Sequence, residues 1–298
     1  MQTIRDLEAL RTTTAAFREA GEGVALVPTM GALHAGHIAL VKEAKRTAAR
    51  VIVSIFVNPL QFGPNEDLAR YPRREQTDAR MLTEVGADVL WAPPVEVMYP
   101  DGFATNISVS GISEVLDGAH RPGHFDGVAT VVAKLFAQSQ ADIAIFGEKD
   151  FQQLAVIRRM VADLNLPIDV RGFPTQREDD GLALSSRNIY LSDQDRAAAV
   201  ALPRALGVAA RRIEQGDDAA AALDQARASL KAAGFEIDYV ELVDAETLGA
   251  PDPARAMRLL AAAKLGGTRR STMSPSCRSN HASCSSASSR RSAMRCWC

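Results

Sequence analysis

Short, unbroken runs of Val, Ile and Leu recur along this chain, and stretches with helical periodicity separate them. The runs are VALVP at 24–28, VIVSIFV at 51–57, DVLWAP at 88–93, DIAIF at 142–146 and the shorter IDVRG at 168–172. A strand that is apolar at every position, rather than at every second one, has to be covered on both faces. The intervening segments supply the cover. Phe125, Val128, Val131, Val132, Leu135 and Phe136 fall on one helical stripe, as do Phe151, Leu154, Ile157, Val161 and Leu164. The pattern predicts an α/β fold: a Rossmann-like, doubly wound parallel sheet over residues 1–175, with its ligand at the edge where the strands end.

Beyond residue 175 the pattern changes. Residues 192–233 are Ala-rich and helical, opening with Ser192 and Asp195 in capping-box spacing, and strand candidates follow at 236–243 and 256–263. This predicts a second, smaller α+β domain over 176–268. The last thirty residues, 269–298, hold ten Ser, six Arg, no acid and all four cysteines of the chain. Their composition predicts disorder, and its abrupt onset points to translation in a shifted reading frame. The spacing of Cys277, His281, Cys284, Cys296 and Cys298 fits no usual zinc pattern.

With that tail set aside, residues 1–268 carry 28 basic and 36 acidic side chains. An acidic body argues against nucleic acid as a partner. No apolar run reaches the length of a membrane span, and the N-terminal stretch does not read as a secretory signal. A body without cysteine suits a reducing compartment, so a cytoplasmic location is expected.

Five segments can carry chemistry. In MGALHAGH, 30–37, a strand gives way to a helix whose first N–H groups favour phosphate; His34 and His37 lie three apart among small residues. In FGEKDFQQL, 146–154, Gly147 turns the chain, Lys149 faces the ligand edge, Asp150 reads as an N-cap, and Gln152 or Gln153 is within reach of a polar substrate. In DGLALSSRN, 180–188, two hydroxyls beside Arg187 suit a triphosphate. Asn58 and Gln61 follow a buried strand as uncharged polar groups, and Arg121 and His124 precede a helix where either can meet an anion. Singly, each segment reads equally well as a loop.

In this order the stretches VPTMGALHAGH, FVNPLQF, RPGHFDGV, FGEKDFQQL and DGLALSSRN resemble the signature segments of the pantothenate synthetase family. These are ATP-dependent ligases joining pantoate to β-alanine, within the wider class of HxGH nucleotidyltransferases and synthetases. The resemblance covers residues 1–268. It implies that Met30, Gly31, Ala32, Leu33, His34, Ala35, Gly36 and His37 hold ATP, with the position of His37 assigned as proton donor. It implies ATP contacts for Gly147, Glu148, Lys149, Asp150, Leu184, Ser185, Ser186 and Arg187, and for Gln176 through its backbone. Gln61 and Gln153 match pantoate-binding positions, Gln61 also lying near β-alanine. His34, His37, Lys149 and Arg187 are the expected catalytic group, with Mg²⁺ carried on the ATP phosphates and no protein metal site. A homodimer is the expected assembly. The resemblance stops after LGGTR, where the family continues with an apolar strand and this chain enters its tail at Arg270. The expectation is a small domain that lacks a strand and is less stable for it.

Two rival readings differ in chemistry. A nucleotidyltransferase of the same superfamily would move AMP onto a phosphate acceptor without needing an amine. A non-catalytic nucleotide-binding module would release no pyrophosphate.

Overall fold

The computed structural model describes residues 1–64 and 66–273, with the backbone alone for Thr268–Met273. Six strands form one parallel sheet: β1 (Gln2–Ile4), β2 (Val24–Thr29), β3 (Arg50–Ile55), β4 (Val89–Trp91), β5 (Ile143–Gly147) and β6 (Asp169–Phe173). Their spatial order is β1-β4-β3-β2-β5-β6. Among the described residues seven helices accompany them: α1 (Leu7–Glu19), α2 (Ala35–Thr47), α3 (Glu75–Glu84), α4 (Val95–Met98), α5 (Asp117–His120), α6 (His124–Ser139) and α7 (Phe151–Asp163).

The unbroken apolar runs are buried on both sides, as a two-faced sheet requires. Val24 and Leu26 join one core with Leu10, Ile52, Trp91, Val132 and Leu154, beneath α1, α6 and α7. Ala25 and Val27 point the other way, joining Val41, Val53, Leu82 and Leu90 beneath α2 and α3. The predicted stripe on α6 is buried along its length. On α7 the stripe ends early: Leu164 caps the helix C-terminus and is 51% exposed. Strand β1 carries one buried apolar residue, Ile4, rather than an unbroken apolar run, so its sequence leaves no such mark.

The strand order reverses direction between β2 and β5. From β2 the chain steps outward to β3 and β4, then returns to place β5 on the opposite side of β2. Neighbouring loops leave these two strands in different directions and open a crevice at their C-terminal ends. Those loops are MGALH and GEKD.

The remaining elements are α8 (Asp193–Ala199), α9 (Ala201–Glu214), α10 (Ala219–Ala232) and an antiparallel sheet of β7 (Glu236–Asp244), β8 (Met257–Leu265) and β9 (Thr268–Met273), in the order β7-β8-β9. Ser192 caps α8 as its spacing predicts, its Oγ accepting the Asp195 N–H at 3.1 Å. A core of Leu202, Leu206, Ile213, Leu230, Val240 and Leu259 joins these helices to their sheet. The expectation that this sheet lacks its final strand is overturned. Strand β9 pairs antiparallel with β8, from Leu265 opposite Thr268 to Leu260 opposite Met273. The pairing needs only backbone groups and the Gly266–Gly267 hairpin, whose φ angles of +55° and +74° suit a tight turn. An unfamiliar sequence can therefore complete the ladder. The predicted disorder and cysteine spacing of 274–298 lie outside the described residues.

Candidate active site

A cleft of about 1390 Å³ opens at the crevice between β2 and β5, with walls from both parts of the chain. Its floor is the start of α2. His34 is the N-cap of that helix, so the helix begins one residue later than a shared face for both histidines would require. The capping bonds bring the two rings together instead. His34 Nδ1 accepts the Gly36 N–H at 3.1 Å, and His37 Nδ1 accepts the His34 N–H at 3.3 Å. The ring centroids are 4.0 Å apart. Each Nδ1 is an acceptor, so each neutral ring carries its proton on Nε2. Burial holds both rings neutral, lowering His34 to about 4 with help from the Lys149 charge, and His37 to about 3 with help from His34. Gly36 makes the fold-back possible: a Cβ there would lie 2.9 Å from the His34 ring.

The loop ahead of the helix is held from behind. Gly31 (φ +82°) and Ala32 (φ +49°) both take left-handed backbone conformations. Asp78 of α3, 1% exposed, accepts the N–H groups of Ala32 at 2.8 Å and Leu33 at 2.9 Å. Burial raises its carboxyl above the usual range, outweighing those two bonds.

The opposite wall carries charge. Lys149 lies in a one-turn 3₁₀ helix, Glu148–Asp150, and donates to Asp150 Oδ1 at 2.9 Å. Asp150 takes the N-cap position of α7 as expected, but its carboxylate turns to the lysine and makes no side-chain capping bond. Across the cleft, Arg187 grips Asp67 through Nε and Nη2, each at 3.0 Å, and lies over the Tyr71 ring. Ser185 Oγ accepts the Arg187 N–H at 3.3 Å, and Ser186 Oγ meets the Tyr71 hydroxyl at 3.2 Å.

A third group surrounds Gln61. Arg121 forms an ion pair with Glu66 and donates to His124 Nε2 at 2.9 Å; His124 Nδ1–H donates to the Gln61 carbonyl at 2.7 Å. Burial opposes ionisation of Glu66, yet Arg121 outweighs it and holds the carboxyl low. Burial and the Arg121 charge lower His124 to about 4. Gln153 faces the cleft, whereas its neighbour Gln152 is buried and bonded to Ile112, Val115 and Asp117.

A profile of the family described as Pantoate-beta-alanine ligase matches residues 2–270. The chain belongs to the pantoate–β-alanine ligase family. The chain is 63% identical over 274 residues to the pantothenate synthetase of Rhizorhabdus wittichii, covering 90% of this chain and 96% of that one. The corresponding enzyme of Sphingopyxis alaskensis is 57% identical over 271 residues, covering 90% and 97%. Among solved structures, pantothenate synthetase from Thermus thermophilus superposes with a TM-score of 0.87 at 48% identity, covering 92% of this chain and 98% of its own. The pantoate–β-alanine ligase of Francisella tularensis, complexed with β-γ ATP and β-alanine, gives 0.78 at 32% identity, covering 92% and 97%.

Against the expectations drawn from that family, the cleft gathers Met30, His34, Gly36, His37, Gly147, Lys149, Asp150, Gln176, Leu184, Ser185, Ser186 and Arg187, together with Gln61, Gln153, Arg121 and His124. Gly31, Ala32, Leu33, Ala35 and Glu148 do not line it. Gly31–Leu33 form the turn that Asp78 holds, and the Glu148 side chain lies beside Gly172 of β6. The Gln176 carbonyl accepts the Leu184 N–H at 2.9 Å, tying two expected ATP segments together. Asn58 borders the cleft but is 1% exposed, with both ends of its amide bonded to protein groups; it supports Gln61 rather than reaching a ligand itself. Sequence reasoning missed Asp78, Asp67, Glu66 and Tyr71, and also Thr175. The Thr175 hydroxyl is buried at the cleft wall with no hydrogen-bond partner among the described residues.

Proposed function

We propose that the chain condenses pantoate with β-alanine at the expense of ATP, releasing AMP and pyrophosphate. One observation carries the reading: at a single sheet edge, a pair of neutral imidazoles faces an ammonium and a guanidinium supplied by loops more than a hundred residues away. That set suits a triphosphate lying across the cleft. Magnesium belongs to this reading as the counter-ion of the ATP substrate, bound by phosphate oxygens. No group of three or more His, Cys, Asp or Glu among the described residues is arranged to hold a metal by itself.

The chemistry runs in two displacements. A pantoate carboxylate oxygen attacks the α-phosphorus, the bond to the bridging oxygen breaks, and pyrophosphate leaves with that electron pair. The acyl adenylate then meets the neutral β-alanine amine; a C–N bond forms, the C–O bond breaks, AMP departs with that electron pair and the nitrogen gives up a proton to solvent. A bare carboxylate would have to expel oxide, whereas the adenylate expels a stabilised phosphate monoester. The protein's part is to align two anions and stabilise charge where it builds up. His34 and His37 offer Nε2–H groups to phosphate oxygens, Lys149 and Arg187 supply positive charge, and Gln61 and Gln153 hold pantoate. Residues 1–175 carry the pantoate contacts and most of those to the nucleotide, and the smaller unit beginning at 176 adds Gln176, Leu184, Ser185, Ser186 and Arg187 from the other side of the cleft. The protein works in the cytoplasm, which its cysteine-free body suits, and as a homodimer, the assembly that the family resemblance implies.

The test is pyrophosphate release from ATP. It should require pantoate, and AMP release should require β-alanine in addition. Lys149→Ala should slow the pantoate-dependent step by at least about a hundredfold, the scale of removing one charge-stabilising group. Pyrophosphate release that ignores pantoate would refute the assignment.

A further inference from the structure

We propose that Tyr99 is a positioning residue, fixing through Asn58 which end of the Gln61 amide faces the cleft. The inference rests on the assignment of pantoate to Gln61 and adds what turns that amide toward its ligand.

The argument begins with Asn58, whose orientation two backbone groups decide. The Leu60 N–H can only donate, and does so to Asn58 Oδ1 at 3.2 Å. The Gly127 carbonyl can only accept, and takes Nδ2–H at 3.0 Å. Gly127 is needed for this approach: a Cβ there would come within 2.7 Å of the Gln61 nitrogen and closer still to the Leu60 carbonyl. The second hydrogen on Nδ2 goes to Gln61 Oε1 at 3.1 Å. The Gln61 oxygen is thereby turned inward, leaving Nε2 on the ligand side against the Met30 sulfur at 3.1 Å. A thioether is a weak acceptor, which an incoming carboxylate or hydroxyl oxygen displaces readily.

Tyr99 closes the chain by donating its hydroxyl to Asn58 Oδ1 at 2.8 Å. The ring is seated between Phe56 and Phe103, with the Lys134 ammonium 5.9 Å from its centroid. Burial pushes the phenol upward, so it remains a donor. With Tyr99 and the Leu60 N–H both on Oδ1, the Asn58 amide cannot turn over without leaving two donors facing an NH₂ group. Gln61 consequently shows the cleft hydrogens only. Such a group donates to the oxygens that a pantoate carboxylate or hydroxyl presents.

Tyr99→Phe removes one hydroxyl and retains the ring. It should raise the apparent KM for pantoate about three- to tenfold, the worth of one hydrogen bond, with the KM for ATP and the melting temperature nearly unchanged. Asn58→Asp should cost more, over about tenfold on pantoate, because a carboxylate has no N–H to hold Gln61 Oε1 inward. The wild-type enzyme's requirement for pantoate in pyrophosphate release is the control for the substrate assignment. With that control positive, a Tyr99→Phe enzyme within twofold of wild type on pantoate overturns the proposal. Equal losses on pantoate and ATP overturn it as well, since a general structural role would give that result.

Discussion

At the scale of single residues, the histidines show how far chemistry depends on neighbours that the sequence does not place beside them. His34 and His37 were legible as candidates from their spacing and their position after an apolar run. Their state was not legible, because it is set by Gly36, by backbone N–H groups and by Lys149 from a strand end over a hundred residues away. The consequence can be measured as stability. In the folded chain His34, His37 and His124 take up protons only near pH 4, 3 and 4, whereas unfolded imidazoles do so near 6.5. Between those values the unfolded state binds more protons, so stability is complete above about pH 6.5 and falls as the pH drops toward 4. Each ring should cost on the order of 1–2 kcal/mol at pH 5. The melting temperature should therefore drop between pH 7 and pH 5, and His37→Gln should flatten that slope; an unchanged slope would show that this ring titrates normally in the fold.

At the scale of elements, α3 does more than cover the sheet. Its apolar residue Leu82 packs in the core as any amphipathic helix would arrange, while Asp78 reaches the turn ahead of α2. Nothing local marks Asp78. An isolated acid on a helix reads as a solvated face, and its partners Ala32 and Leu33 lie more than forty positions away. Asn58 illustrates the same limit: its polarity was legible, but a buried amide bonded to Tyr99 and Gly127 can be told from a ligand contact only in three dimensions. Asp78→Asn replaces an acceptor with a donor facing an N–H, and should lower kcat/KM for ATP about ten- to a hundredfold, the cost of a displaced loop. Ala32 occupies a left-handed conformation that glycine adopts without strain. Adding Ala32→Gly to the Asp78→Asn enzyme should recover part of the loss. No recovery would mean that Asp78 matters for another reason than holding this turn.

At the scale of the whole molecule, the alternating runs made the parallel sheet and its ligand edge readable, because burial on both faces leaves a mark at every position. The small sheet was harder. Its last strand follows no apolar pattern, and the sequence reading withheld it, yet the hairpin at Gly266–Gly267 returns the backbone along β8. Ending the chain after Gly267 should leave the β8 edge from Leu260 to Leu265 without its partner and lower the melting temperature by about 4 °C or more. An unaltered melting temperature would mean that the ladder adds nothing to stability. The histidine cap at the cleft floor has a larger reach than its size suggests. A neutral imidazole whose unprotonated nitrogen holds the start of a helix has no proton to surrender short of becoming an anion. To serve as an acid, either ring would first have to be charged at the nitrogen that anchors it, and so loosen the floor of the cleft. The proton-donor role expected of His37 and the capping bond it makes therefore compete for one ring.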